Sequence, residues 1–258
     1  MAERERIDTL MVRRSLAESR SAAQRLIMAG QVRADGQVVF KPAQRVESSA
    51  EITVDEGPLY VSRGGEKLEA AILAFEIMVQ DSICADVGAS TGGFTDCLLQ
   101  HGAERVYAID VGHGQLHWRL RNDPRIVLME RTNARHLESL QEPIDLVTID
   151  VSFISLLLIF PAISQWLKSD GEVIALVKPQ FEAGKEDVGK GGVVRDVDVH
   201  RQVLSDVVKG AEQSGLFIAG LVRSPLMGPK GNIEFLLWLV QHDVGVDTAD
   251  TIESALSD

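Results

Sequence analysis

A twisted, mostly parallel α/β sheet of seven strands, with a small α+β module ahead of it, is predicted by three observations. From Gly64 onward, apolar strand-like runs alternate with helical segments, the pattern of a sheet covered on both faces. A glycine-rich turn follows the first of those runs at Gly88, where open α/β sheets place ligands. Composition and periodicity change at Gly57-Pro58, which marks the end of a separate N-terminal piece.

Within that piece, Ile7, Leu10, Met11 and Leu16 give a helical stripe over Ile7 to Leu16. A second helix over Ser21 to Ala29 opens with Ser21 and Gln24 at capping-box spacing and stops at Gly30. Gln31 to Phe40 reads as two short strands around the hairpin signal Ala34-Asp35-Gly36, and Glu51 to Val54 as a further strand.

The seven sheet strands are expected at Ile83 to Val87, Arg105 to Ile109, Ile126 to Glu130, Leu146 to Ile149, Glu172 to Val177, Leu216 to Arg223 and Ile233 to Val240. The last two have no helix between them, only the Pro- and Gly-containing stretch Ser224 to Asn232, so an antiparallel pair at the sheet edge is expected. Val151 to Leu167 is apolar but is interrupted by Ser152, Ser155, Pro161, Ser164 and Gln165. It falls short of the roughly 20 residues that cross a bilayer and reads as a buried helix.

The chain has 258 residues with 45% apolar content, enough for a large core and a small satellite. A formal net charge of -12 excludes a protein that coats nucleic acid over its whole surface. Residues 1–45 run the other way, with nine Lys/Arg against five acids, so a nucleic-acid contact would be local. Gln241 to Asp258 holds five acids and no Lys or Arg and reads as a solvated tail. Two cysteines, Cys84 and Cys97, supply neither a disulfide framework nor a metal site. The N-terminus alternates charges without the apolar stretch of a secretory signal, so a cytoplasmic protein is expected. No membrane or metal partner is expected, and a monomer is favoured.

The turn Asp86-Val87-Gly88-Ala89-Ser90-Thr91-Gly92-Gly93-Phe94-Thr95 departs from the spacings for dinucleotides and triphosphates and suits a nucleoside. Asp110 ends the next strand, where an acid accepts ribose hydroxyls, and Asn133 follows the third strand, where an amide reaches an adenine edge. In that order these residues favour an adenosyl cofactor. Asp150 and Lys178 end neighbouring strands, Lys67 precedes the sheet and Glu234 opens the last strand.

Methyl transfer to a ribose hydroxyl needs a proton acceptor beside the attacking oxygen, and a lysine serves when burial or a second cation favours its neutral form. Lys178 is the candidate acceptor, with Lys67 beside it and Asp150 and Glu234 orienting the ammonium groups and the hydroxyl. Asp150-Val151-Ser152-Phe153 lacks the Pro-Pro clamp of amino-group methylases. Neither cysteine lies where a carbon-methylating nucleophile would be needed.

Ser62-Arg63 through Lys67-Leu68, Asp86-Val87-Gly88 with Gly92-Gly93-Phe94, Asp150, Lys178-Pro179 and Glu234 resemble the FtsJ-like RNA ribose methyltransferases and their Lys-Asp-Lys-Glu tetrad. Lys178 to Glu182, Val188 to Asp196, Ser224-Pro225 and Gly228 to Glu234 extend the resemblance to the TlyA family, also called haemolysin A, almost to Val240. Arg6-Ile7-Asp8, Ser19-Arg20-Ser21, Gly30-Gln31-Val32 and Lys41-Pro42 resemble the RNA-binding domain of ribosomal protein S4.

The resemblance implies a class I (Rossmann-like) methyltransferase fold and 2′-O-methylation of cytidine in ribosomal RNA, with S-adenosylmethionine as donor. It implies Lys67, Asp150, Lys178 and Glu234 as catalytic residues. Asp86, Gly88, Ala89, Ser90, Thr91, Gly92, Gly93, Phe94, Asp110, Asn133 and Asp150 would bind the cofactor. Arg6, Arg13, Arg14, Arg20, Arg25, Lys41, Arg63 and Lys190 would meet RNA phosphates. Asn133 stands where FtsJ-like enzymes often carry Asp.

The expected organisation is an S4-like domain over 1–58, a linker over 59–63, the methyltransferase domain over 64–242 and a flexible acidic tail over 243–258. A catalytically idle RNA-binding or ribosome-assembly factor, and a pore-forming haemolysin, are the other readings.

Overall fold

The structure is a computed structural model that describes residues 4–55 and 57–257. Met1 to Glu3, Glu56 and Asp258, including two of the acids counted above, lie outside the described residues. The chain divides into two compact units between Leu59 and Tyr60.

In the first unit β1 (Arg4–Arg6) runs directly into α1 (Ile7–Arg13), followed by α2 (Arg20–Met28), β2 (Val32–Ala34), β3 (Gln37–Val38), β4 (Arg45–Glu47) and β5 (Ile52–Val54). β2 lies between β3 and β5, and β1 pairs with β4, all antiparallel. The Asp35-Gly36 turn has positive φ at both residues (48° and 79°), as a two-residue hairpin of this twist requires. Ile7, Leu10 and Met11 of α1 bury against Ala23 and Ile27 of α2 and Val32 of the sheet.

Here the structure corrects the sequence reading. α1 stops at Arg13, before Ser15 at φ 59°. The cap of α2 is Ser19, which accepts from the Ala22 N–H at 3.2 Å, rather than Ser21. Gln24 donates instead to Asp8 at 2.9 Å. β1 and β4 were not foreseen, because their residues lack apolar alternation.

The second unit opens with α3 (Gly64–Ala74) and continues through β6 (Ile83–Val87), α4 (Gly93–Gln100), β7 (Arg105–Ile109), α5 (Trp118–Arg121), β8 (Ile126–Met129) and β9 (Ile144–Ile149). It ends with α6 (Phe160–Ile163), β10 (Leu167–Val177), α7 (Pro179–Glu182), α8 (Val197–Glu212), β11 (Phe217–Arg223), β12 (Phe235–Val240) and α9 (Thr248–Ser257). The strand order is β11-β12-β10-β9-β6-β7-β8, with β12 antiparallel to both of its neighbours and the other pairs parallel.

Alternate residues of the central strands feed two cores. Val173, Ala175 and Val177 of β10 face Val203, Leu204 and Val207 of α8, while Ile174 and Leu176 join Leu68 of α3 and Leu98 of α4. Continuous apolar runs are therefore what this sheet demands.

Three expectations are corrected. Val151 to Leu167 is no continuous helix but a 3-10 turn at Leu156–Leu158 and the single turn α6, with Pro161 in its first turn. The tail expected over 243–258 is, as far as Ser257, no loose one. Ile252 and Ala255 of α9 are buried beside α8 and β11, an apolar stripe that the acids around it conceal, and Glu253 pairs with Arg201. Residues 59–63 are no plain linker, since Tyr60 is buried within the second unit and the Val61 N–H donates to Asp96 at 2.8 Å. Among the described residues, no helix is long and apolar enough to cross a membrane.

Candidate active site

Strand register assembles the site. Val87 of β6 pairs with Ile149 of β9, so Gly88 and Asp150 emerge side by side at the carboxyl rim. Val177 of β10 pairs with Phe235 of β12. Because β12 runs antiparallel, its beginning lies at that same rim, and Glu234 arrives beside Lys178.

Two glycines are needed for this packing. Gly88 has φ 87°, and a Cβ there would stand 2.4 Å from the Asp150 carbonyl oxygen. At Gly93, which starts α4, a Cβ would stand 2.2 Å from Ser62 Oγ and 3.0 Å from the Gly65 nitrogen, so the N-terminal ends of α3 and α4 meet almost backbone to backbone.

Three adjoining clefts open along the rim. The first is lined by Ser62, Arg63, Gly64, Lys67, Gly88, Ala89, Ser90, Thr91, Gly93, Phe94 and Asp150, among others. The second, of about 450 Å³, is within the size range of small-ligand sites and includes Gly88, Ser90, Asp110, Val111, Gln115, Asn133, Asp150 and Phe153 in its walls. The third, about 490 Å³, brings together Lys67, Asp150, Lys178 and Glu234, with Ser152, Phe153, Gln180 and Phe181. Asp150 lines all three.

The four charged residues form two ion pairs. Lys178 Nζ lies 2.5 Å from Asp150 Oδ1 and donates to the Val151 carbonyl (2.9 Å) and Ser152 Oγ (3.0 Å). Lys67 Nζ lies 2.5 Å from Glu234 Oε2, and Gln180 Nε2 donates to Glu234 Oε1 at 3.4 Å. Glu234 is buried, and both lysine side chains are nearly so. Each ammonium therefore meets a carboxylate, which offsets the cost of withdrawing it from water.

The expected cofactor residues divide into walls and supports. Asp110 is at the second cleft, its carboxylate accepting from the Ser90 N–H (2.8 Å) and the Gly112 N–H (2.6 Å). Asn133 is there too, its Oδ1 accepting from the Arg135 N–H at 3.1 Å. Asp86 and Gly92 line none of the three clefts. Asp86 is fully buried and accepts from Thr95 Oγ1 (2.6 Å) and Thr148 Oγ1 (3.3 Å), joining β6, α4 and β9 behind the glycine turn. Burial, with a smaller push from the Asp150 charge, raises its carboxyl to about 7. Gly92, at φ 96°, is backed by Leu116 and Leu120.

Of the basic residues expected at RNA, Arg6 and Arg20 converge on buried Asp8 at 2.8 and 3.0 Å. Arg13 pairs with Glu5, and Arg14 donates to the carbonyls of Ser48 and Ala50, each at 2.6 Å. Arg25 and Lys41 are exposed. Arg63 is exposed on the wall of the first cleft, and Lys190 is exposed beside Gly191 and Gly192 of the third. The sequence reading assigned no role to Gln180, Phe181 or Gln115. Phe153, at φ 64° and 89% exposed, sits 4.9 Å from Phe181 at the mouth of the third cleft. Neither the left-handed backbone of Phe153 nor its contact with Phe181, 28 positions away, could be signalled by sequence.

Comparison with known proteins places this geometry. Residues 60–241 match the family of FtsJ-like methyltransferases and residues 5–52 the S4 domain. The chain is 49% identical over 260 residues to the 16S/23S rRNA (cytidine-2'-O)-methyltransferase TlyA of Mycobacterium tuberculosis, covering 99% of this chain and 97% of that protein. A solved Streptococcus thermophilus structure that carries a haemolysin name superposes with a TM-score of 0.73 at 43% identity, covering 100% of this chain and 97% of the other.

A Listeria monocytogenes structure described as an S-adenosylmethionine-dependent methyltransferase shares the fold at a TM-score of 0.53 and 18% identity, over 70% of this chain and 100% of its own. The chain belongs to the FtsJ-like methyltransferase family, and it carries an S4 domain ahead of its methyltransferase unit.

Proposed function

We propose that the chain moves a methyl group from S-adenosylmethionine to the ribose 2′-hydroxyl of a cytidine in ribosomal RNA, in the cytoplasm. The observation that carries this reading is the gathering of Lys67, Asp150, Lys178 and Glu234 around one cleft that adjoins the glycine-lined one. The rRNA substrate and the cytidine come from the likeness to the Mycobacterium tuberculosis relative and from the S4 match.

The residues at the second cleft suit an adenosyl group: Asp110 for the ribose hydroxyls and the Asn133 amide for the adenine edge. Bound S-adenosylmethionine supplies an electrophilic methyl carbon on a positively charged sulfur. Lys178 is the residue placed to take up the hydroxyl proton, with Asp150 2.5 Å from its Nζ to hold the ammonium. Lys67 and Glu234, paired at the same cleft, would orient the hydroxyl.

Labelled S-adenosylmethionine and ribosomal subunits test the reading. Label enters the RNA with the native chain and fails to enter with Lys178→Ala; full activity in that variant refutes the assigned mechanism. An idle RNA-binding factor would instead bind RNA without measurable affinity for S-adenosylmethionine.

A further inference from the structure

Trp118 is left largely outside the core. It sits on the single-turn helix α5 and is 68% exposed, while Leu116 and Leu120 on either side, each 5% exposed, fill the space beside Gly92. The His117 ring is 5.7 Å from the indole, and the Arg119 guanidinium stands 5.9 Å from its centroid. Among the described residues no carboxylate pairs with Arg119, whereas Arg121 pairs with Glu130 and Arg125 with Asp123. The group adjoins the candidate active site, because the His117 N–H donates to the carbonyl of Thr91, which lines the first cleft, at 3.1 Å.

An exposed indole beside an unneutralised guanidinium is the pairing that holds single-stranded nucleic acid: a base stacks on the ring and the cation meets the neighbouring phosphate. In a chain of net charge -12, RNA can be held only where cations are left free locally, as Arg119 is. We infer that Trp118 and Arg119 form a stacking platform for an unpaired nucleotide of the RNA substrate outside the reaction cleft. This rests on the RNA substrate proposed above.

The chain carries three tryptophans; Trp166 is 3% exposed and Trp238 is half-buried against Phe75, so Trp118 is the most exposed of them, and the change in emission on adding RNA is read as the difference between the native chain and Trp118→Phe. Titrating the full-length protein with a short single-stranded oligoribonucleotide is expected to quench its emission. Trp118→Ala is expected to weaken oligonucleotide binding roughly ten-fold, and Trp118→Phe to retain most of it. Both variants are expected to bind S-adenosylhomocysteine as the native chain does.

Unchanged oligonucleotide affinity in Trp118→Ala, or emission indifferent to RNA, overturns the inference. So does equal quenching by duplex RNA, which offers no free base face, or loss of S-adenosylhomocysteine binding, which would make the residue a support of the cofactor cleft. A chain that binds RNA through Trp118 yet transfers no methyl group defeats the proposed function and leaves the platform standing. Methyl transfer undiminished at limiting RNA in Trp118→Ala defeats only the platform.

Discussion

Lys67 Nζ and Glu234 Oε2 stand 2.5 Å apart although 167 positions separate them in the chain. No local rule brings them together. α3 supplies one and the start of antiparallel β12 the other. Removing either partner leaves a nearly buried charge uncompensated, so Lys67→Ala and Glu234→Ala are each expected to lower kcat by about 10²-fold or more. If the pair acts as a unit, the double variant loses little beyond the worse single variant. Single-turnover methyl transfer measures this, and additive losses would show that the two act separately.

Asp86 makes the methyltransferase unit sensitive to pH. Its folded carboxyl is raised to about 7, above the roughly 3.9 of an unfolded chain, so the folded state holds a proton that the unfolded state releases. Its stabilising share is complete below about pH 4 and is lost as pH rises to about 7. The stability of the native chain relative to Asp86→Asn is expected to fall across that window by roughly 4 kcal/mol and then level off. Denaturant melts at several pH values read this directly, and a flat difference would contradict it.

The S4 unit responds in the opposite sense through Asp8. Arg6, with Gln24 and Arg20, holds this carboxyl well below the usual carboxylate range. Its contribution is present above the unfolded value and lost as pH falls through the folded one. Asp8→Asn is expected to cost the unit about 2 kcal/mol at neutral pH, since the hydrogen bonds of a charged acceptor are weakened. Melting the native chain and the variant while following a probe on α2 measures it.

Ile252 ties α9 to the sheet domain at 3% exposure. Ile252→Ala is expected to destabilise the methyltransferase unit by about 2–3 kcal/mol through lost burial and the cavity left behind. A surface change such as Asp250→Asn is expected to be near neutral. Hydrogen exchange on α8 and β11 would locate the effect, and unchanged protection there would show that α9 is dispensable.

Much of the sheet was readable because its strands are buried on both faces. Ile83–Val87 and Arg105–Ile109 were located to the residue, and the glycine turn and strand-end carboxylates followed from their positions. Local pattern gave no handle on β1 and β4, whose pairing joins residues 4–6 to 45–47. It misled at α9, where acids outnumber the few apolar residues that face the core.

The amino-acid order alone determined the seven strands of the large sheet, the glycine turn after β6 and the candidates Lys67, Asp150, Lys178 and Glu234, because periodicity and punctuation are properties of neighbours in the chain. Tertiary structure alone decided which carboxylate each lysine takes, that Asp86 lies buried behind the turn, and that Trp118 is left in water. Those outcomes depend on strand register and on what packs against each face, and both are set by contacts between segments far apart in sequence.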